Sequence, residues 1–248
     1  MSRLQELQER RAYECRLTPD RALRSLDEAA AFLRDRGLLT RTADSALPSL
    51  YEACHEDPYA PGRGGFGEWP ATKWPWFGEL AESDGVRRLK VHDRGKNLLV
   101  TDETAALLDP ICRAEVERMR RDSPEWGRVL DHLAAAGPSE PEDLKVELDL
   151  KPKELKGILF PLELCGAVVR RNGMLERWDQ AFPEPPRGPG GPEELLVAAV
   201  RAAVVAPERE VARWFAWRWL LPADLVDSLI AARRLERLEP GWLAVRGR

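Results

Sequence analysis

One order of elements recurs in this chain and constrains its fold more than any other feature. An amphipathic helical stretch is followed by a short second helix, a turn, a third amphipathic helix, and two strand-like runs joined by a tight turn. The clearest copy runs from Trp126 to Trp178, and another from Pro192 to Val245. In the central copy, Val129, Leu130 and Leu133 mark the first apolar face at helical spacing, and Gly137-Pro138 stops it. Ser139 is placed to cap a second helix carrying Leu144, Val146 and Leu148. The third helix, Leu150 to Leu164, carries Leu155, Ile158, Leu159 and Leu162. Gly166 ends it, and a hairpin follows that turns at Asn172-Gly173, two residues that tolerate positive φ. The C-terminal copy places Leu195, Leu196, Ala199 and Val200 on its first helix and predicts a second helix from Val211 to Trp217. Leu221-Pro222 then turns into a third helix with Leu225, Leu229 and Ile230, and a hairpin over 235–245 closes the copy.

The N-terminal half follows the order less closely. Residues 1–16 are charged and compatible with a helix, with no clear burial pattern. Ser25-Leu-Asp-Glu28 forms a capping box, in which the Ser25 hydroxyl takes the Glu28 amide and Glu28 reaches back to the Ser25 amide. Leu26, Ala29, Ala30 and Leu33 form the apolar face, and Gly37 supplies a left-handed C-cap. A short helix is expected over Pro48 to His55, then a long proline- and glycine-rich loop over 56–75 of the kind that often carries function. A short helix from Phe77 to Ala81 precedes two strands, Val86 to Val91 and Asn97 to Thr101, and a long helix begins at Thr101 or Asp102.

Composition limits the function classes. The 248 residues can hold one large domain or two to three small ones, and an apolar fraction of 44% is enough for each to bury a core. The charged fraction of 32% is nearly balanced, giving a net charge of -4 and a pI near 5.6. No long-range positive field draws in nucleic acid, so any such contact must come from a local basic face. No run of apolar residues is long enough for a membrane span, and the first residues lack the apolar core of a signal peptide, so a cytoplasmic location without membrane contact is expected. Cys15, Cys54, Cys112 and Cys165 show no paired spacing and read as buried thiols. The abundance of Ala, Arg, Leu and Pro points to a GC-rich bacterial source.

The recurring order resembles a winged helix, a helix-turn-helix with a β-hairpin attached. The expected fold is therefore mostly α with short β-hairpins (α+β), in tandem winged-helix units. Residues 1–122 form a divergent N-terminal unit with the aromatic loop, 123–182 a central winged helix, 183–191 a linker, and 192–248 a C-terminal winged helix. The landmarks are also similar to those of the AlkZ/YcaQ-type winged-helix DNA glycosylases, in particular their shorter AlkZ-related members. Ser25-Leu-Asp-Glu-Ala-Ala-Ala-Phe-Leu33, Leu47-Pro-Ser-Leu-Tyr51, Trp74-Pro-Trp76, the stretch Trp126 to Arg171 and Ala212-Arg-Trp-Phe215 carry the resemblance. It implies DNA as the partner and DNA repair as a setting. Family glycosylases use a Gln-x-Gln motif to activate water. This chain, whose glutamines are Gln5, Gln8 and Gln180, has none, so no catalytic residue is assigned.

The expected nucleic-acid contacts are Lys151, Lys153 and Lys156 near the start of the third helix and Arg170, Arg171 and Arg177 on the hairpin. These six face Glu154, Glu163 and Glu176, for a local net charge of +3 inside an acidic chain. Ordinary solvated lysines on a helix face are the alternative. The loop aromatics Trp69, Trp74, Trp76 and Phe77, flanked by Arg63 and Lys73, either stack on an exposed base, with Trp74 and Trp76 foremost, or anchor the loop on the core. Trp214, Trp217 and Trp219 read as packing or an interface between units. Cys54-His55-Glu56-Asp57 has no dyad spacing, and His55, His92 and His132 have no ligand spacing, so neither a metal nor a cofactor is expected. Two other functions share this fold reading: a protein-interaction scaffold, which the acidic pI favours, and a dimeric transcriptional regulator. The sequence does not set the oligomeric state.

Overall fold

The computed structural model describes residues 1–43, 45–59, 73–184, 187–217, 224–238 and 241–247. The chain is mixed α and β, predominantly helical with small antiparallel sheets. Helix α1 (Arg3–Glu14) is closed by a reciprocal cap, in which the Gln5 amide donates to the Ser2 hydroxyl and Gln5 accepts from the Ser2 amide. There follow α2 (Leu26–Arg36), β1 (Leu38–Thr40), α3 (Leu50–Ala53), α4 (Trp76–Ala81), β2 (Val86–His92) and β3 (Lys96–Thr101), with a 3-10 turn at Asp93–Gly95. The long helix α5 (Asp102–Asp122) leads to α6 (Pro124–Ala136), α7 (Pro141–Glu147), α8 (Pro152–Leu164), β4 (Val168–Arg171), β5 (Met174–Arg177) and α9 (Trp178–Ala181). Last come α10 (Pro192–Ala203), β6 (Val205–Pro207), α11 (Glu208–Val211), α12 (Leu225–Ala231), β7 (Leu235–Arg237) and β8 (Trp242–Val245).

An order of three helices and a hairpin therefore occurs three times, with a strand after the first helix in the first and last copies. The first sheet has the order β1-β3-β2 and the third β6-β8-β7, so in each the strand after the first helix pairs with the last strand of the hairpin. The central copy keeps that pairing as one bridge, Ser139 to Leu175. Ser139 is thus not the helix cap expected of it. Its backbone is committed to both hydrogen bonds with Leu175, its hydroxyl donates to the Gly137 carbonyl, and α7 starts one residue beyond Glu140. Asn172 and Gly173 both take positive φ, 50° and 83°, and fix the register of β4 on β5 from Arg171 opposite Met174 to Val168 opposite Arg177.

The first sheet contributes core residues from both faces. Along β3, Leu98 and Val100 join the large core, while Leu99 between them joins a smaller core with Leu33, Leu50, Tyr51 and Phe77. The large core continues through Ile111, Cys112 and Val116 of α5 and Leu130, Leu133, Leu159 and Leu162 of the central copy. It also takes in Leu196, Val200, Trp214, Phe215 and Trp217 of the last. A third cluster seats Leu4 and Leu7 of α1 on Val205 and Ala244, so the N-terminal helix closes the C-terminal sheet. Gly190 and Gly191 of the expected linker lie against α5. A Cβ at Gly190 would stand 3.1 Å from the Ala106 carbonyl and from Pro110, a tight contact, and the Gly191 amide donates to Leu107 O at 2.8 Å, next to the place where Pro110 lacks an amide.

Three expectations about local structure are corrected. Glu28 accepts from the Arg24 amide (2.8 Å) rather than that of Ser25, while Ser25 takes the Glu28 amide as expected. Val146 is exposed, because two residues on from Leu144 it falls on the opposite side of α7, while Leu148, four residues on, packs on the core. The expected helix Val211 to Trp217 ends at Val211. Residues 214–216 instead run along the end of β2, with Asp93 N donating to Trp214 O (3.2 Å) and Ala216 N to Val91 O (2.9 Å). Extended pairing between two layers buries Trp214, Phe215 and Trp217 together, which one face of a helix does not do. Trp217 Nε1 then donates to the Cys165 carbonyl at 2.8 Å and ties the last copy to the central one.

His92 sits in that seam. It is buried, its Nδ1 lies 3.2 Å from the Asp93 carbonyl, and its Nε2 has no partner among the described residues; the same holds for Trp214 Nε1. Burial pushes the His92 imidazole below its usual range, and the Asp93 carbonyl and carboxylate oppose that shift only in part. The unfolded chain therefore takes up this proton first as pH falls, so the His92 contribution is full above the ordinary histidine value of about 6.5 and declines below it. Urea titrations between pH 7.5 and 5 are expected to show falling stability, and His92→Gln is expected to flatten that slope. Because one core links the three copies, Trp217→Ala is expected to lower the unfolding free energy by about 3–5 kcal/mol within a single transition.

Candidate nucleic-acid interface

Helix α8 presents two stripes. Leu155, Ile158, Leu159 and Leu162 are buried in the large core, whereas Lys151, Lys153 and Lys156 are exposed around its first two turns. The helix start is fixed by Pro152 at its first position and by Glu154, whose carboxylate accepts from the Lys151 amide at 2.8 Å. None of the three lysines has a carboxylate partner among the described residues. The C-terminal half of α8 is covered by the first hairpin. Lys90 of β2 reaches the buried Glu163 at 2.5 Å, and Arg170 of β4 reaches the same carboxylate at 3.3 Å. Phe160, 48% exposed, lies so close to the turn glycine Gly95 that a Cβ there would stand 3.0 Å from its ring.

The six expected basic contacts therefore divide in two. The lysines have no carboxylate partner among the described residues, and the arginines are matched. Arg170 is held by Glu163, Arg171 lies 3.4 Å from the buried Glu176, and Arg177 makes a forked bond to Asp179, one arm at 2.9 Å. The Arg177 guanidinium holds the Asp179 carboxyl below the usual carboxylate range. Only 13% of the Arg177 side chain is exposed, so it serves the hairpin more than the surface.

Sequence reasoning missed a groove between β2 and β4. Two adjoining concavities of about 390 and 190 Å³ lie along it. Arg87, Arg88, Lys90, Arg170 and Arg171 line them against Glu82, Asp84 and Glu163. Arg87 is engaged by Asp102 at 3.0 Å, while Arg88 has no carboxylate partner among the described residues. The signal was present in Val86-Arg-Arg-Leu-Lys-Val91, a strand with three cations, but only the packing of β2 beside β4 joins them to the hairpin arginines.

The aromatic loop is described from Lys73 onward; Trp69 and Arg63 lie outside the described residues, as does Trp219. Trp76 is half-buried on the smaller core, with Lys73 Nζ 5.6 Å from its ring centre. Trp74 stacks on Tyr51 at 5.0 Å, its carbonyl accepts from the Tyr51 hydroxyl at 2.7 Å, and it keeps 40% exposure. His55 Nε2 meets the Arg16 carbonyl at 3.0 Å, and burial pushes the Cys54 thiol up to about 12. Among the described residues no group of His, Cys, Asp and Glu is arranged to hold a metal ion, and no helix is long and apolar enough to cross a membrane.

No family model matches the sequence, and neither a curated protein nor a solved structure does. Glu163 is the charge that joins α8, β2 and β4. Glu163→Ala is expected to cost about 1–2 kcal/mol in a urea titration, less than the ~3–5 kcal/mol of a fully buried pair, because both cations remain partly in water.

Proposed function

We propose that this chain is a DNA-binding protein built from three tandem winged-helix units and related to the AlkZ-type glycosylases, with repair as its setting. The repeated order and the shared strand pairing of the first and third sheets support the fold. The observation that carries the function is the division of charge on the central unit. Lys151, Lys153 and Lys156 project from the start of its third helix, the part of such a helix that contacts DNA, with no carboxylate partner among the described residues. Each hairpin arginine, by contrast, is already matched with a carboxylate. The groove between β2 and β4 continues this face through Arg88 and Arg170. Without a Gln-x-Gln motif, no glycosidic step is assigned to any residue.

In this reading the lysines neutralise phosphates, and affinity falls as salt rises. Each phosphate contact on duplex DNA contributes about 0.9 to the slope of log K against log salt. Lys153→Gln with Lys156→Gln is expected to weaken duplex binding at every salt concentration and to reduce that slope by about 2. Fluorescence anisotropy across a salt series checks this. Unchanged affinity and slope would reject the surface, and no binding at low salt would favour a protein-interaction scaffold, the reading that the net charge of -4 supports.

A further inference from the structure

Phe160 is the one exposed large apolar side chain of α8 among the described residues; its ring tip packs against the first hairpin's turn and it keeps 48% exposure. It falls seven residues after Lys153 and four after Lys156, on the same face of the helix. Its ring tip sits under the first hairpin's turn, where Gly95, at φ +71°, leaves it room that a Cβ, 3.0 Å from the ring, would tighten. Beside it lies a concavity of about 330 Å³, at the small end of the range that takes organic ligands. Pro141, Pro152, Leu155 and Leu159 give it an apolar lining, and Lys90, Lys145, Lys156 and Arg170 line it in excess over Glu142 and Glu163. Of these cations, Lys156 has no carboxylate partner among the described residues, while Lys145 is paired with Glu142 and the other two share Glu163.

We infer that this concavity receives an unpaired nucleobase of a DNA strand, stacked on Phe160, with the strand's phosphates held by Lys153 and Lys156. The inference rests on the DNA-binding reading and specifies the form of DNA bound at this site. An aromatic ring within a cationic track is the recognition chemistry of unstacked bases, and it is tolerant of sequence because every base has a π face. Intact duplex fits less well. The major groove is about 12 Å wide and accepts a helix by itself, but the C-terminal half of α8 carries the first hairpin on its flank. A single strand, or a base displaced from a duplex, can enter where a whole helix cannot.

The test uses the full chain and three probes: a single-stranded oligonucleotide, a duplex with one unpaired 2-aminopurine, and a perfect duplex. Wild type is expected to bind the first two more tightly than the third and to quench the 2-aminopurine. Phe160→Ala is expected to abolish the quenching and weaken single-strand binding at least about fivefold, leaving perfect-duplex affinity unchanged, while Phe160→Trp restores both. Thermal melts of both variants check folding, and the half-exposed position makes Phe160→Trp the control if the alanine variant melts early. Quenching that survives Phe160→Ala, or an equal loss on all three probes, would overturn the stacking site. Lysine-dependent binding to perfect duplex with no preference for unpaired bases would overturn it too, and would leave the DNA-binding reading standing. Absence of binding to any probe would remove both.

Discussion

The hairpin β2–β3 carries core side chains on both of its faces, and the arrangement of the three copies depends on that. Antiparallel sheets commonly leave one side solvated. Here Leu98 and Val100 turn one way into the large core and Leu99 turns the other way into the first copy's own core. Each such side chain contributes about 1.5–3 kcal/mol when fully buried, so covering both faces is a strong reason for the neighbouring copies to pack on this hairpin. The central copy covers it with α8 and β4, and the third continues its edge with residues 214–216. Copies that follow one another in sequence are thereby closed around a shared layer. The seating of α1 on the third sheet completes the closure from the N-terminal side.

That layer also decides what remains open. The first hairpin covers the far half of α8 and leaves its lysine-bearing start free, and it brings Lys90 and Arg88 beside Arg170. Neither the groove nor the concavity at Phe160 belongs to one copy. Each is walled by a strand or turn of the first and a helix or strand of the second. Rigid elements from two units hold such side chains in place better than a free loop would. Glu163 lies at the junction and fixes a cation from each side, which couples the geometry of the groove to the packing of the two copies.

The elements legible in the sequence are those whose cause is local. Gly37 as a left-handed cap, the Asn172-Gly173 turn, Thr101 as a helix start and the apolar stripe of α8 all follow from residues within a turn or two. Where a distant partner competes for the backbone, local reasoning fails. Ser139 has the chemistry of a cap, but Leu175 takes its amide and carbonyl. Trp214 and Trp217 have helical spacing, yet the end of β2 offers an extended partner and room for every ring. The site shows the same division. The lysines were visible as a charged helix start, whereas Arg88 and Lys90 were only strand residues until β4 was placed beside them. Counting charges gave a net of +3 over 151–177, but the count does not reveal that each hairpin arginine already has a carboxylate.

The pairing bears on how an acidic chain could hold a phosphate backbone at all. At physiological salt the screening length is about 8 Å, so carboxylates elsewhere on the molecule contribute little at the start of α8. What matters there is whether a cation is already spent. An arginine forked onto a carboxylate would have to exchange one charged partner for another, gaining little. An exposed lysine gives up only water and the freedom of its own side chain, and it releases a condensed counterion from the strand. In the DNA-binding reading the arginines therefore set the shape of the hairpins and the groove, and the lysines supply the affinity. That separation leaves the net charge free to remain negative, since lysines at the start of α8 without carboxylate partners among the described residues give a local attraction that the whole-molecule charge does not predict.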